Sequence, residues 1–191
     1  AIALNLGSGS AHFGPRVVNL DIAPFANVDV VARGERLPVR TACLDAVITQ
    51  GVLEHVPHLA ATLAEIDRVL RPGGLVYHEA PFIQGYHGSP GDYRRFTAQG
   101  VSELAPGYTI VAQGVAVGPS SAVGWLVSEW LALLFSFGSQ RLHRLGRRLF
   151  GWLLSPLKLA DAWLEHHPQA QLTACAFYVV ARKPPLGSEL G

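Results

Sequence analysis

The sequence predicts an α/β fold, a Rossmann-like, doubly wound and mostly parallel sheet with an antiparallel edge pair and a helical insertion before the last strand. Short continuous apolar runs, which are typical of strands buried on both faces, recur through the first 82 residues. A glycine-rich turn follows the first run, and an amphipathic helical stripe lies between the fourth and the fifth. Strands that alternate with helices and turns in this way favour a parallel sheet.

Five short strands are predicted in the first part of the chain. The interval between the first and second strands contains a Gly-Pro pair and is too short for a crossover helix, so we expect a loop or a single turn there. The predicted strands are residues 2–6, 17–22, 28–32, 44–49 and 75–78.

One amphipathic helix is predicted before the fifth strand. Pro57 fits its first turn, apolar residues recur at helical spacing over 59–70, and the segment 71–74 is expected to end it. A loop rich in Gly, Pro and His follows the fifth strand over 85–96, and Thr97 is expected to cap a short helix. In open α/β sheets, the edge where this loop lies is the edge that binds ligands.

Two further strands, 108–117 and 172–181, are predicted to form the antiparallel pair that closes the sheet. We interpret the chain as a single domain over 1–191, in which 118–170 is an apolar and basic helical insertion.

The insertion contains two apolar stripes at helical spacing, and arginines accompany the second stripe. A basic amphipathic helix with tryptophans can lie on an anionic membrane surface. The run 125–137 is too short to cross a bilayer. Three interpretations stay open for this segment: a helical cap on the sheet, contact of 121–164 with a membrane or lipid, and a subunit interface.

Composition limits the class of protein. Of the 191 residues 49% are apolar and 15% are charged, and the net charge of +1 gives no global attraction for nucleic acid. Cys43 and Cys175 match no metal or redox spacing and are expected to be buried, reduced thiols of a cytoplasmic protein. The eight histidines are scattered and predict no metal site.

A glycine-rich turn and an acid mark a candidate cofactor site. The first strand leads into Gly7, Ser8 and Gly9, and the second ends at Asp21 and Ile22. In an α/β sheet this arrangement places backbone N–H groups and a ribose-binding carboxylate at the ends of neighbouring strands. An adenosine-bearing cofactor suits such a pair. In dinucleotide sites the acid follows the glycines by about 20 residues, and Asp21 comes earlier.

Four segments together resemble class I S-adenosylmethionine-dependent methyltransferases. They occur in the order and spacing of that family within roughly the first 82 residues, and the second half of the pattern is its specific part. The segments are 4–10, 19–22, 44–56, which contains Leu-Asp-Ala-Val and Val-Leu-Glu-His-Val, and 68–74, which contains Val-Leu-Arg-Pro-Gly-Gly.

The resemblance implies S-adenosylmethionine as the cofactor. It implies that the glycine turn approaches the amino-acid portion of the cofactor and that Asp21 binds the ribose hydroxyls. Backbone groups near Gly34 are expected along the adenine, and the end of the fourth strand is expected beneath the transferred methyl group. The expected cofactor-binding residues are Gly7, Ser8, Gly9, Asp21, Ile22, Gly34, Gln50 and Gly51.

The segment 78–97 resembles, less specifically, a subgroup of these enzymes linked to bacterial cell-surface polysaccharides. Transfer of a methyl group to a hydroxyl requires alignment and the removal of one proton. Histidine suits that task near neutral pH, so His87 is predicted as the base and Asp92 as its orienting carboxylate. Tyr93 and Arg94 are expected to hold the acceptor. The alternative is that these charged and aromatic residues only fix the loop through hydrogen bonds and an ion pair.

We therefore expect a methyltransferase that uses S-adenosylmethionine on a small or lipid-linked acceptor, at an oxygen of a sugar or similar polar metabolite. The expected location is cytoplasmic, with peripheral contact to the inner face of the membrane. One alternative is a non-catalytic membrane or scaffolding module on a degenerate Rossmann-like fold, and another is a nicotinamide-dependent oxidoreductase, which the early Asp21 disfavours. The oligomeric state and the acceptor are left open.

Overall fold

The computed structural model describes residues 1–88 and 90–185. Seven strands form one sheet in the order β3-β2-β1-β4-β5-β7-β6. The first five strands pair in parallel, as their apolar runs predict. The strands are β1 (Ala3–Leu6), β2 (Val17–Asp21), β3 (Val30–Val31), β4 (Leu44–Gln50), β5 (Leu70–Pro81), β6 (Thr109–Val117) and β7 (Ala176–Arg182).

The antiparallel edge pair predicted at the end of the chain is formed by β6 and β7. The strand β7 also runs antiparallel to β5, since the Gly73 N–H donates to the Lys183 carbonyl and the Lys183 N–H donates to the Gly74 carbonyl. The sheet therefore has the mixed, doubly wound form that the sequence predicts.

Five α-helices accompany the described strands. The second begins after Thr97, whose hydroxyl accepts a hydrogen bond from the Gly100 N–H, as expected of a helix cap. Two short 3-10 segments, Ser155–Ala160 and Ala170–Leu172, complete the helical elements. The α-helices are α1 (Leu59–Val69), α2 (Ala98–Ser102), α3 (Pro119–Leu134), α4 (Gln140–Leu154) and α5 (Asp161–Leu164).

The chain divides into two compact units. The first unit comprises Ala1–Ala80, His87–Gly114 and the chain from Tyr178 onward, and it contains the parallel strands with the core of the sheet. The second unit comprises Pro81–Tyr86 and Val115–Phe177, in which α3 packs against α4. The predicted helical segment 118–170 lies in this second unit. None of the described helices is long and apolar enough to cross a bilayer.

Several local predictions are wrong in detail. Pro57 precedes the helix, because α1 begins at Leu59 with His58 as its N-cap. The segment 71–74 belongs to β5, because Leu70 already has extended backbone angles and pairs with Leu44 on the neighbouring strand. The predicted strand over 28–32 is reduced to the two residues of β3.

The predicted short first crossover is confirmed, since no helix occurs between β1 and β2. The cysteine prediction is half right. Cys175 is a buried thiol, whereas Cys43 is an exposed one in the turn before β4, where its thiol donates to the Arg40 carbonyl.

Candidate active site

The glycine turn after β1 has a conformation that only glycine fits. Gly7 has a φ of +69°, and a Cβ at this position would lie 2.4 Å from Cγ2 of Val52. Its N–H donates to the Leu20 carbonyl at 2.7 Å, which joins the turn to the end of β2. The turn therefore needs glycine at this position, because its backbone packs directly against the Val52 side chain.

Asp21 ends β2 and is almost fully buried, with 9% of its surface exposed. Its Oδ2 accepts a hydrogen bond from the Gly9 N–H at 2.8 Å, and its Oδ1 accepts one from the Ala23 N–H at 2.9 Å. An ionised carboxylate has about four acceptor positions, so these two bonds leave about two for hydroxyl donors. The acid thus fixes the glycine turn and keeps the capacity to bind a diol.

A cavity of about 160 Å³ opens beside this turn within the first unit. Apolar residues of the strand ends line it together with His55 and the charged residues Arg33 and Glu35. Five of the eight residues expected to bind the cofactor line this cavity: Gly7, Asp21, Ile22, Gly34 and Gly51.

The other three expected cofactor residues do not line the cavity. Gly9 contributes its N–H to Asp21. Ser8 is buried, and its hydroxyl has no hydrogen-bond partner among the described residues. Gln50 is exposed and donates from its side-chain amide to Glu79. Of these three residues, Ser8 and Gly9 therefore belong to the turn beside the cavity, and Gln50 lies at the exposed end of β4.

An ion pair on α1 holds the loop that carries Gly34. Glu65 accepts a hydrogen bond from the Leu37 N–H, and Arg68 donates both to Glu65 and to the Leu37 and Val39 carbonyls. The Arg68 guanidinium lowers the pKa of Glu65 to about 2. The loop is thereby fastened by a charged pair, although neither Glu65 nor Arg68 lines the cavity.

A carboxylate and two imidazoles meet beside the cavity, and we call Glu54, His55 and His87 the Glu54 cluster. Oε1 of Glu54 lies 3.6 Å from Nε2 of His55 and 3.5 Å from Nε2 of His87. The two rings meet edge to face, with their centroids 4.9 Å apart. Because His55 also lines the cavity, the cluster and the cavity share one residue.

Glu54 is 1% exposed, and its Oε2 has no hydrogen-bond partner among the described residues. Burial raises the pKa of the Glu54 carboxyl above its ordinary value, and the neighbouring His55 and His87 offset that shift only in part. The cluster therefore contains a desolvated carboxylate whose charge is incompletely balanced.

The structure brings the predicted base and its orienting acid together. The His87 N–H donates to Oδ2 of Asp92, and Nδ1 of the His87 ring lies 3.4 Å from the same oxygen. Arg95 donates from both terminal nitrogens to the Asp92 carboxylate and lies 3.4 Å from Nδ1 of His87. The Arg95 guanidinium holds the pKa of Asp92 well below its usual range, so Asp92 stays ionised.

The two residues expected to hold the acceptor have different positions. Tyr93 is 58% exposed. Arg94 donates to the Val56 and Pro57 carbonyls, which ties the loop to the cavity wall. The alternative in which loop residues make structural bonds therefore describes Arg94 well.

Sequence reasoning missed three members of this site, which are Glu54, His55 and Arg95. The distance of more than thirty residues between His55 and His87 gives no periodic signal. The Leu-Glu-His-Val motif was the available clue, since it places a Glu and a His at the strand end that binds ligands.

Residues 6–78 match the protein-family model described as a methyltransferase domain. No curated protein matches the chain.

Solved structures with the same fold are numerous, and three illustrate the range. The 1,6-didemethyltoxoflavin-N1-methyltransferase of Burkholderia thailandensis is 18% identical, with a TM-score of 0.57 over 96% of this chain and 71% of its own. A SAM-dependent methyltransferase of Archaeoglobus fulgidus is 13% identical, with a TM-score of 0.57 over 95% and 85%. The cyclase SpnF is 16% identical, with a TM-score of 0.56 over 96% and 75%.

Identities this low define the fold alone, and a cyclase among these structures shows that the fold does not set the reaction. The methyltransferase-domain match covers the glycine turn, Asp21 and the Glu54 motif. The match and the fold together support the expected methyltransferase that uses S-adenosylmethionine.

Proposed function

We propose that the protein transfers a methyl group from S-adenosylmethionine to an oxygen of a small or lipid-linked polar acceptor, such as a sugar. The observation that carries this proposal is the shared position of His55, which lines the cavity beside the glycine turn and belongs to the Glu54 cluster. A cofactor cavity and a group that can take a proton thus adjoin within one unit of the chain.

The residues around the cavity suit S-adenosylmethionine. Gly7 presents backbone where the amino-acid portion would approach, and Asp21 retains acceptor capacity for the two ribose hydroxyls. The loop around Gly34, with the apolar Leu6, Leu20 and Ala32 nearby, offers a surface for adenine. When bound, the cofactor supplies an electrophilic methyl group, whose bond to sulfur breaks as its bond to the acceptor oxygen forms.

The chain's own task is to align the acceptor and to remove its hydroxyl proton. His87 takes that proton at an imidazole nitrogen, and Asp92 holds the ring in place. Glu54 is close enough to stabilise the imidazolium that results. A positioned base of this kind contributes about 10²–10⁴-fold to the rate, and alignment contributes the rest.

The first test is calorimetric titration of the purified protein with S-adenosylhomocysteine, with NADH as a parallel control. We expect saturable binding of S-adenosylhomocysteine alone. Binding of NADH alone would favour the oxidoreductase alternative. Binding of neither would contradict the proposal and favour a non-catalytic module.

The second test is a methyl-transfer assay with sugars and lipid-linked sugars as acceptors. His87→Gln should lower turnover by about 10²-fold or more while the affinity for S-adenosylhomocysteine is preserved. The matched control is His58→Gln, since His58 is an exposed residue whose side chain makes no capping bond. Equal turnover in the two variants would remove His87 from the reaction.

We also propose that the second unit contacts an anionic membrane through residues 121–164, on the inner face. No residue of α4 is buried, and Trp152 and Trp163 are each more than 70% exposed. Between residues 130 and 160 the sequence has five basic residues and no acidic one. Exposed aromatic and aliphatic groups beside basic ones are typical of helices that lie on anionic lipid. The basic residues are Arg141, Arg144, Arg147, Arg148 and Lys158.

This contact is tested by co-sedimentation with vesicles of phosphatidylcholine, with or without phosphatidylserine. We expect binding only to the anionic vesicles, weakened by salt and by the double variant Arg144→Gln/Arg148→Gln. Arg40→Gln, an exposed change in the first unit, should bind normally. Absence of vesicle binding would refute the contact, and light scattering that shows a dimer would then assign this surface to a subunit interface.

A further inference from the structure

The Glu54 cluster has the composition and spacing of a metal site. Among the described residues, Glu54, His55 and His87 are a group whose potential ligand atoms all lie within 4.8 Å of one another. Two imidazoles and one carboxylate form a donor set that suits zinc and its neighbours in the first transition series. Magnesium and calcium prefer oxygen donors and suit it less.

The distances fit ligands around one ion better than they fit hydrogen bonds. The Glu54 oxygen lies 3.6 and 3.5 Å from the two Nε2 atoms, which is long for a charged hydrogen bond. Ligands bound tetrahedrally at the zinc distances of about 2.0–2.1 Å lie about 3.4 Å apart. The potential ligand atoms of the two histidines lie within 4.8 Å of each other.

The surroundings of His55 match the outer shell of a metal site. Nδ1 of His55 donates to the Gly91 carbonyl at 2.5 Å, which directs Nε2 toward Glu54. Metal-bound histidines commonly donate their second nitrogen to a carbonyl in this way. Nδ1 of His87 lies 3.4 Å both from the Asp92 carboxylate and from Nη2 of Arg95, and its Nε2 lies on the side of Glu54.

A second observation points to a missing positive charge. Oε2 of Glu54 lacks a hydrogen-bond partner among the described residues, and the side chain is 1% exposed. Asp92 is balanced by Arg95, but no Lys or Arg forms an ion pair with Glu54 among the described residues. A desolvated carboxylate facing an imidazole lone pair is costly unless a proton or a cation lies between them.

We propose that Glu54, His55 and His87 bind one divalent cation of the zinc type, with at least one coordination position open toward the acceptor. The proposal that the cation binds depends only on the geometry of the cluster. The proposal that the cation takes part in the reaction rests on the proposed function. With the cation bound, His87 is a ligand, and the acceptor hydroxyl beside the ion loses its proton to solvent more readily. Without the cation, His87 acts as the base, and the proton that it takes from the acceptor supplies the positive charge beside Glu54.

The test uses the purified full chain after treatment with a chelator, titrated with Co²⁺ and with Zn²⁺ in competition with a chromophoric chelator. We expect one equivalent of Co²⁺ with visible d–d absorption, displaced by one equivalent of Zn²⁺. His87→Gln and Glu54→Gln should each weaken binding by more than about 100-fold, beyond the 10–100-fold typical of outer-shell changes. His58→Gln should bind both ions like the unchanged chain.

Thermal unfolding of the metal-free variants shows whether each one folds, and His87 is the safer site because 24% of its side chain is exposed. Titration with S-adenosylhomocysteine separates the two proposals. Cofactor binding without cation binding would overturn the metal site and leave His87 as the base. Cation binding that survives His87→Gln would also overturn it. Cation binding that is lost in His87→Gln, without cofactor binding, would support the site and contradict the proposed function.

Discussion

Replacement of Asp21 by Asn tests the cofactor assignment directly. The carboxylate accepts the Gly9 and Ala23 N–H groups, one on each oxygen, and retains acceptor positions toward the cavity. An amide keeps only one acceptor atom, so one backbone N–H would face an NH₂ group. The negative charge that strengthens a ribose hydrogen bond would also be lost. Asp21→Asn should therefore weaken both the turn and the binding of the cofactor.

The expected loss of affinity is about 1.5–3 kcal/mol, the contribution of a hydrogen bond to a charged group. This loss corresponds to an increase in the Kd for S-adenosylhomocysteine of about 10- to 150-fold. Urea unfolding of the ligand-free protein should show a further cost of about 1–3 kcal/mol for the N–H that is no longer satisfied. Calorimetry and urea unfolding of the same preparation measure the two effects separately.

Asp29→Asn is the matched control, because Asp29 also accepts a backbone N–H, that of Asn19, and does not line the cavity. It should lower stability without lowering affinity. An unchanged Kd in Asp21→Asn, or an equal change in both variants, would refute the ribose assignment.

Three further changes test the turn, a buried histidine and the second unit. Gly7→Ala should unfold at a clearly lower urea concentration and bind S-adenosylhomocysteine poorly, because its Cβ would overlap Val52. At Gly9 an added Cβ meets no atom within 4 Å, so Gly9→Ala should lower the free energy of unfolding only by about 1–2 kcal/mol, the cost of its positive φ. Equal losses would contradict the steric argument. Burial lowers the pKa of His78 to about 4, so below about pH 6.5 the unfolded chain binds a proton that the folded chain excludes. The free energy of unfolding should fall by about 1.4 kcal/mol per pH unit between pH 6.5 and 4, and His78→Gln should lack this pH dependence. Identical urea curves for the two proteins across that range would contradict the assignment to His78. Asp161→Ala should lower stability by about 1–2 kcal/mol, because the Asp161 carboxylate accepts the N–H groups of the first turn of α3, while affinity for S-adenosylhomocysteine stays unchanged.

The positions of the parallel strands were predictable because each strand is an apolar run bounded by turns. β1 and β4 match their predicted positions within one residue, although β1 contains Asn5 and β4 contains Asp45 and Thr49. The end of α1 was not predictable in the same way. Leu70 satisfies both the helical stripe and the strand, and the choice depends on its pairing with Leu44, a contact across 26 residues.

The candidate site was predictable where its residues are close in sequence. The glycine turn and Asp21 follow from the ends of two adjacent strands, and His87 with Asp92 follows from one loop. The Glu54 cluster depends on the packing of that loop against the turn after β4. The Tyr93 N–H donates to the Glu54 carbonyl and the Gly91 carbonyl accepts from His55, and neither contact has a sequence signature.

The two buried carboxylates of the site differ in how their charges are balanced, and this difference governs the chemistry available to His87. The charge of Asp92 is balanced by Arg95, so Asp92 can orient the His87 imidazole while stabilising its protonated form only weakly. Glu54 faces imidazoles alone among the described ionisable groups, so the cluster gains electrostatic energy from any added positive charge. A proton taken from the acceptor and a divalent cation both supply that charge. The same geometry therefore predicts that His87 is a base in the absence of a suitable cation and a metal ligand in its presence. Turnover of the chelator-treated enzyme shows which of the two states catalyses the reaction. Full turnover without the cation would assign the reaction to the base, and turnover restored by Zn²⁺ would assign it to the metal.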